Sequence, residues 1–187
     1  MIIGVTGYLA SGKDVLADFL IKKGFKHISL SDFLREDLKK MGVPESRENL
    51  TNLGNDLRNQ FGDDHLASRA LKVINNGNFV ITSIGRVAEA RKLKELKGFK
   101  LIFVTADQKV RFNRLKSRNR VGDVIDFNNF KKQEALESEG GNGLFREFDN
   151  LKKEADIVLE NSTSLQDFEA KINNVLGGSV LNCFRTK

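Results

Sequence analysis

The stretch that decides the fold opens the chain: Ile2-Ile3-Gly4-Val5-Thr6, then Gly7-Tyr8-Leu9-Ala10-Ser11-Gly12-Lys13-Asp14-Val15. A compact apolar run ends at a glycine, and Gly7 to Lys13 fits the spacing G-x-x-x-x-G-K. From Lys13 to Lys23, Val15, Leu16, Phe19 and Leu20 share one helical face. Strand, loop and helix in that order are the context in which the spacing acquires meaning. The glycines let consecutive backbone N–H groups point into one concavity, and the helix N-terminus adds partial positive charge there. Lys13 then sets an ammonium against β- and γ-phosphates. The competing reading is a glycine-rich turn that caps a helix. Position 14 departs from the pattern, because Asp14 stands where Ser or Thr usually binds Mg²⁺. A carboxylate is a hard oxygen ligand and can take that place, directly or through water. Its plainer role is a first-turn acid facing the helix dipole.

Outward from this loop, short β-rich runs alternate with helical ones. His27 to Leu30, Phe79 to Ser83, Leu101 to Thr105 and Asp156 to Glu160 read as further strands. Helical segments are expected from Asp32 to Asn75, broken at Gly42-Val43-Pro44, then over Val87 to Lys97 and Gln108 to Arg118. Ser164 to Val175 carries Leu165, Phe168, Ile172 and Val175 at helical spacing, and Gly177 to Lys187 has no clear pattern. Strands separated by helices predict a parallel sheet with helices on both faces, an α/β fold of three layers. Glu139-Gly140-Gly141-Asn142-Gly143 reads as a loop inside a single domain spanning 1–187.

Composition narrows the function. The chain has 187 residues, 40% hydrophobic and 30% charged, enough to build a core. Thirty-one Lys and Arg against 25 acids give +6, which permits phosphate-bearing partners without singling out nucleic acid. The one cysteine, Cys183, excludes an intrachain disulfide and a cysteine-based zinc cage. No apolar run approaches the ~18 residues of a membrane span, and the N-terminus lacks a signal-peptide pattern. A cytoplasmic protein without membrane contact is expected, as a monomer or homodimer. His27 and His65 lack ligand spacing, and no Ser-His-Asp or paired-carboxylate arrangement is present.

One further segment carries chemistry. Gln108 to Arg120 contains no acid and six basic residues, of which Arg111, Arg114 and Arg118 share a helical face at i, i+3, i+7. Phe112 and Leu115 point off that face toward a core. Guanidinium groups so placed can grip phosphoryl oxygens in bidentate fashion; a solvated basic face is the alternative. A nucleic-acid patch is the weakest reading, since no aromatics interleave with the charges.

Gly4-Val5-Thr6-Gly7, Gly12-Lys13-Asp14 and Ser29-Leu30-Ser31-Asp32-Phe33-Leu34-Arg35 together resemble the P-loop nucleoside and nucleotide kinases. Within that superfamily the likeness is to small prokaryotic adenylate-kinase-related, dephospho-CoA-kinase-like and deoxynucleoside-monophosphate-kinase-like proteins. Arg47-Glu48-Asn49-Leu50, Gly54 to Arg58, Gly62 to Ala67 and Ala155 to Asn161 extend it over residues 1–175. The resemblance implies a P-loop NTPase fold with strand order 2-3-1-4-5 and a helical lid over 119–143. It implies ATP with Mg²⁺ as cofactors, held by Gly7, Ala10, Ser11, Gly12, Lys13, Asp14, Val15 and Asn161, with Asp14 as metal ligand. Arg114 and Arg118 would act with Lys13 in catalysis, from the lid. Asp32, Arg35, Arg58 and Arg86 would bind the phosphate acceptor. Arg58 is the least secured of these, since it could pair with Asp56 or Glu48 or face solvent.

The implied reaction is transfer of the γ-phosphoryl group to a small nucleotide, foremost a (deoxy)nucleoside monophosphate, with dephospho-CoA as alternative. Two departures keep a different class open, Asp14 in the loop and the end of the third strand. Thr82-Ser83-Ile84-Gly85-Arg86 lacks the acid often found at this strand end, so a nucleotide-binding regulator with little or no kinase activity remains a reading.

Overall fold

The computed structural model describes residues 1–118, 126–139 and 147–183. Five strands form one parallel sheet: β1 (Ile2–Gly7), β2 (Lys26–Ser29), β3 (Phe79–Thr82), β4 (Phe99–Thr105) and β5 (Ile157–Glu160). Their order is β2-β3-β1-β4-β5, as the resemblance implies. β1 lies at the centre and pairs with β3 through Ile2–Phe79 and with β4 over its whole length, Ile2–Phe99 to Gly7–Val104. All six residues of β1 are buried, which is why it reads as a continuous apolar run rather than an alternating one.

The helices are α1 (Lys13–Lys22), α2 (Leu30–Lys40), α3 (Arg47–Phe61), α4 (His65–Val73), α5 (Val87–Leu93), α6 (Gln108–Arg118), α7 (Phe127–Glu139), α8 (Phe148–Glu154) and α9 (Leu165–Cys183). They cover the sheet in two layers. Leu16, Ala17 and Leu20 of α1 pack with Phe168, Ile172 and Leu176 of α9 on one face, against Ile3, Val5, Ile102 and Val104. On the other face, Leu30 and Leu34 of α2, Leu66 and Ala70 of α4, Ala90 and Leu93 of α5 and Phe148 and Leu151 of α8 meet Ile2, Ile81, Leu101 and Phe103. Alternate β4 residues thus supply opposite cores, the period-2 signature of a strand buried on both sides. Truncating a fully buried side chain such as Phe168 or Phe103 to Ala would cost about 3–5 kcal/mol.

Several boundaries differ from the sequence expectation. β2 stops at Ser29, whose extended backbone caps α2, so Leu30 belongs to the helix and is fully buried there. The Asp32–Asn75 stretch has a second break at Gly62, where φ is +98°. α5 ends at Leu93 because the chain turns through Leu96 and Gly98 (φ +80°) to enter β4 two residues early, at Phe99. α9 continues past Val175 to Cys183, so most of the stretch from Gly177 is helical. Among the described residues no helix is long and apolar enough to cross a membrane.

Candidate active site

The loop between β1 and α1 is held from three sides. Gly7 has φ +144°, and a Cβ there would lie 2.0 Å from the Val104 carbonyl oxygen, so only glycine lets β1 pass β4 this closely. Ala10 is also in the left-handed region, at φ +58°, and Gly12 caps α1 at φ +96°. No side chain caps α1, so the first-turn N–H groups of Lys13, Asp14 and Val15 have no intrahelical partner. The Ser11 hydroxyl is fully buried and makes no hydrogen bond. Lys13 donates from Nζ to the Tyr8 carbonyl at 2.9 Å and folds over the loop. Uncapped N–H groups at a helix start and an ammonium are donors of the kind a polyphosphate requires.

Asn161 joins β5 to this loop. It is buried just after the strand, its own N–H donating to the Thr105 carbonyl, and its Nδ2 donates to the Ser11 carbonyl at 2.8 Å. Its Oδ1 accepts from Arg114 Nη2 at 3.4 Å, and Arg114 also reaches the Thr163 carbonyl at 3.5 Å. Burial pushes the Arg114 guanidinium below its ordinary value, partly countered by Glu160. Arg118 ends α6 half-buried. The structure therefore brings together the seven loop and helix positions, Asn161 and Arg114. Arg120 and the 119–125 and 140–143 parts of the expected lid lie outside the described residues; 127–139 of it is the helix α7.

Arg111 does not share the open face expected for it. It is 4% exposed, donates from Nε to the Ala106 carbonyl at 2.9 Å, and grips Glu134 of α7 with both Nη atoms. Its guanidinium lies 4.8 Å over the Tyr8 ring and 5.7 Å from that of Phe130. Phe112 and Leu115 point to the core as expected, Phe112 against Phe127 and Phe130.

The four expected acceptor residues fall into two groups near the ends of β2 and β3. On α2, Arg35 pairs with Asp32 at 2.7 Å and with Glu45 at 2.8 Å, and donates to the Ser31 hydroxyl. Ser31, Ser29 and Ser83 form a hydroxyl cluster with oxygens 2.9–3.2 Å apart. Ser83 occupies the left-handed region at φ +61°, a strained conformation for serine. Arg58 neither faces solvent nor pairs with Asp56 or Glu48. It reaches from α3 to Glu89 of α5, Nη2 lying 3.6 Å from Oε1, and Gly54 leaves the space for it. Glu89 is 1% exposed, and its Oε2 accepts from the N–H groups of Gly85 and Arg86 at 2.8 and 3.1 Å. Burial pushes this carboxyl above its ordinary value, against the pull of those N–H groups and of both arginines. The sequence reading places none of Glu89, Tyr8 and Glu134 beside the arginines they contact. The available signals were Tyr8 inside the motif and Glu89 three residues after Arg86, the spacing of a helix-start acid.

Among the described residues no three His, Cys, Asp or Glu side chains converge as a metal cage. A magnesium ion that travels with a nucleotide needs only one or two protein carboxylates beside phosphate and water. Asp14, exposed in the first turn of α1, fits that need.

A family model described as an AAA domain matches residues 3–135. A UPF0200 protein from Hyperthermus butylicus is 30% identical over 182 residues, covering 94% of this chain and 93% of that one. The chain belongs to the AAA-domain family and to the UPF0200 family. A UPF0200/UPF0201 protein from Archaeoglobus fulgidus is also 30% identical, but this chain spans only 54% of its length. Among solved structures, a shikimate kinase from Bacteroides thetaiotaomicron superposes with TM-score 0.60 at 15% identity, covering 95% of this chain and 97% of that one. A dephospho-CoA kinase from Campylobacter jejuni gives 0.59 at 16%, covering 97% and 98%. The fold is that of the P-loop kinases.

Proposed function

We propose that this UPF0200 protein is an ATP- and Mg²⁺-dependent phosphotransferase acting on a small phosphorylated nucleotide, foremost a (deoxy)nucleoside monophosphate. The observation that carries the reading is the loop from Gly7 to Lys13 at the carboxyl end of the central strand, tied to the end of β5 by Asn161. In open parallel sheets the ligand sits outside the carboxyl ends of the strands. Lys13 and the first-turn N–H groups of α1 hold the β- and γ-phosphates. Asp14 holds the metal, which neutralises charge on the phosphates when bound. Arg114 and Arg118 supply positive charge to the transferred group. Arg35, Arg58 and Arg86, near the ends of β2 and β3, would meet the phosphate of the acceptor, Arg35 and Arg58 by exchanging contacts they now make with Asp32, Glu45 and Glu89.

The test is a panel of nucleoside monophosphates, deoxynucleoside monophosphates and dephospho-CoA offered with ATP and Mg²⁺. We expect transfer to at least one nucleoside monophosphate, abolished in Lys13→Ala with the thermal midpoint preserved. Transfer to dephospho-CoA alone would reassign the acceptor. ATP binding with no transfer to any of them would favour a regulatory protein, a reading to which the hydroxyl cluster around Ser83 in place of a strand-end carboxylate lends weight.

A further inference from the structure

We infer that Arg111 and Glu134 are positioning residues for the phosphate loop, coupling its conformation to the helix that carries Arg114 and Arg118. The inference rests on the nucleotide reading above and goes beyond it, because both residues act through protein contacts. Arg111 spends its donors on the protein. Nε goes to Ala106, Nη1 reaches the Leu9 carbonyl at 3.5 Å, and both Nη atoms meet Glu134. Leu9 and Tyr8 are loop residues, so one side chain of α6 touches two consecutive positions of the loop. Glu134 also accepts from Gln108 Nε2 at 2.7 Å, which fixes the start of α6 against α7.

Tyr8 completes the linkage. Its ring lies edge-on to Phe103 and Phe148, with centroids 5.1 and 5.4 Å away, and beneath the Arg111 guanidinium. Its hydroxyl donates to Asp149 of α8 at 2.5 Å. Burial and that carboxylate hold the phenol well above its ordinary value, so it stays a donor at any physiological pH. A loop that must keep Ala10 in the left-handed region gains definition from such neighbours. A buried ion pair adds little net stability over apolar replacements, but it can specify one arrangement among several. The arrangement specified here sets α6, and with it Arg114 beside Asn161, in register with the loop.

The distinguishing experiment separates affinity from stability. In Arg111→Met/Glu134→Gln neither charge is left behind alone, and removing both partners of a buried pair can be nearly neutral for folding. Arg111→Lys keeps the charge facing Glu134 and loses the fork that reaches Leu9. Tyr8 is the single tyrosine and the chain has no tryptophan, so intrinsic fluorescence reports on the loop alone. We expect calorimetric titration with MgATP to show at least tenfold weaker binding in the double variant and fivefold in Arg111→Lys. Tyr8 emission should be altered in both before ATP is added, and the Arg111→Lys thermal midpoint should stay close to wild type. Near-wild-type ATP affinity in either folded variant would overturn the inference, as would a loss of affinity matched by a proportionate loss of thermal stability in Arg111→Lys. If the double variant does not fold, Arg111→Lys decides alone. A wild-type chain that binds neither MgATP nor pyrophosphate would overturn the nucleotide reading first, and this one with it.

Discussion

Gly12 shows how little room the loop leaves at the scale of single residues. A Cβ at this position would lie 2.2 Å from Asn161 Nδ2, on a backbone with φ +96° that side chains rarely adopt. The second glycine of the motif therefore serves the asparagine bridge as well as the turn. Asp14, two positions on, is instead exposed in the first turn of α1. That separation makes its chemistry testable by itself. With Asp14 as metal ligand, Asp14→Asn should raise the Mg²⁺ concentration for half-maximal turnover several-fold, and Asp14→Ser should recover much of the loss, since a hydroxyl is the usual ligand at this place. Thermal midpoints of both variants should change little, a surface first-turn acid contributing about 0.3–1 kcal/mol. An unchanged magnesium dependence in both would leave Asp14 with its helix-dipole role only.

Between elements, the pairing of α3 with α5 through Arg58 and Glu89 is the least expected contact, and it carries a pH signature. Glu89 is nearly inaccessible, and burial raises its carboxyl above the ordinary 4.5. The folded state then binds the proton more tightly than the unfolded state does. This contribution to stability is complete below 4.5 and is lost as pH rises through the raised value. Glu89→Gln removes the titration while keeping an oxygen for the Gly85 and Arg86 N–H groups. Denaturant melts at increasing pH from 4.5 upward should therefore shift the balance steadily in favour of the variant. A shift the other way would mean that the arginines and N–H groups outweigh burial.

The same contact shows where sequence reading stops. β1, the loop and α1 were legible because their signal is local: an apolar run, fixed glycine spacing and one helical face. The partners of Arg58 and Arg111 were not, because Glu89 and Glu134 lie 31 and 23 residues away and meet only in the tertiary fold, where these side chains reach from α3 to α5 and from α6 to α7. The arginine helix also misled in part. Three arginines at helical spacing share a face, but spacing cannot tell that Arg111, nearest the sheet, turns into the core while Arg114 stays at the loop.

Across the whole molecule, strand order distributes the chemistry. β1 at the centre carries the phosphate loop, while β4 and β5 on one side deliver α6 and Asn161. β3 and β2 on the other side deliver Arg86, the serine cluster and, through α2, Arg35. Order 2-3-1-4-5 therefore predicts a partition of donor and acceptor across β1, with the donor nucleotide toward β5 and the acceptor toward β2. Arg86 is the residue on which to test it. Its backbone is fixed by Glu89, and it caps α5 directly after the β3 connection. Arg86→Ala should raise the acceptor KM by tenfold or more, the loss of one charge-assisted contact being worth about 1.5–3 kcal/mol. The KM for ATP should change less than twofold, because Asn161 ties the loop to β5, on the other side of β1 from β3. Asn161→Ala should do the reverse, weakening ATP and sparing the acceptor. Equal effects of either variant on both substrates would mean that the sheet does not divide the site, and the acceptor assignment of Arg35, Arg58 and Arg86 would fall with it.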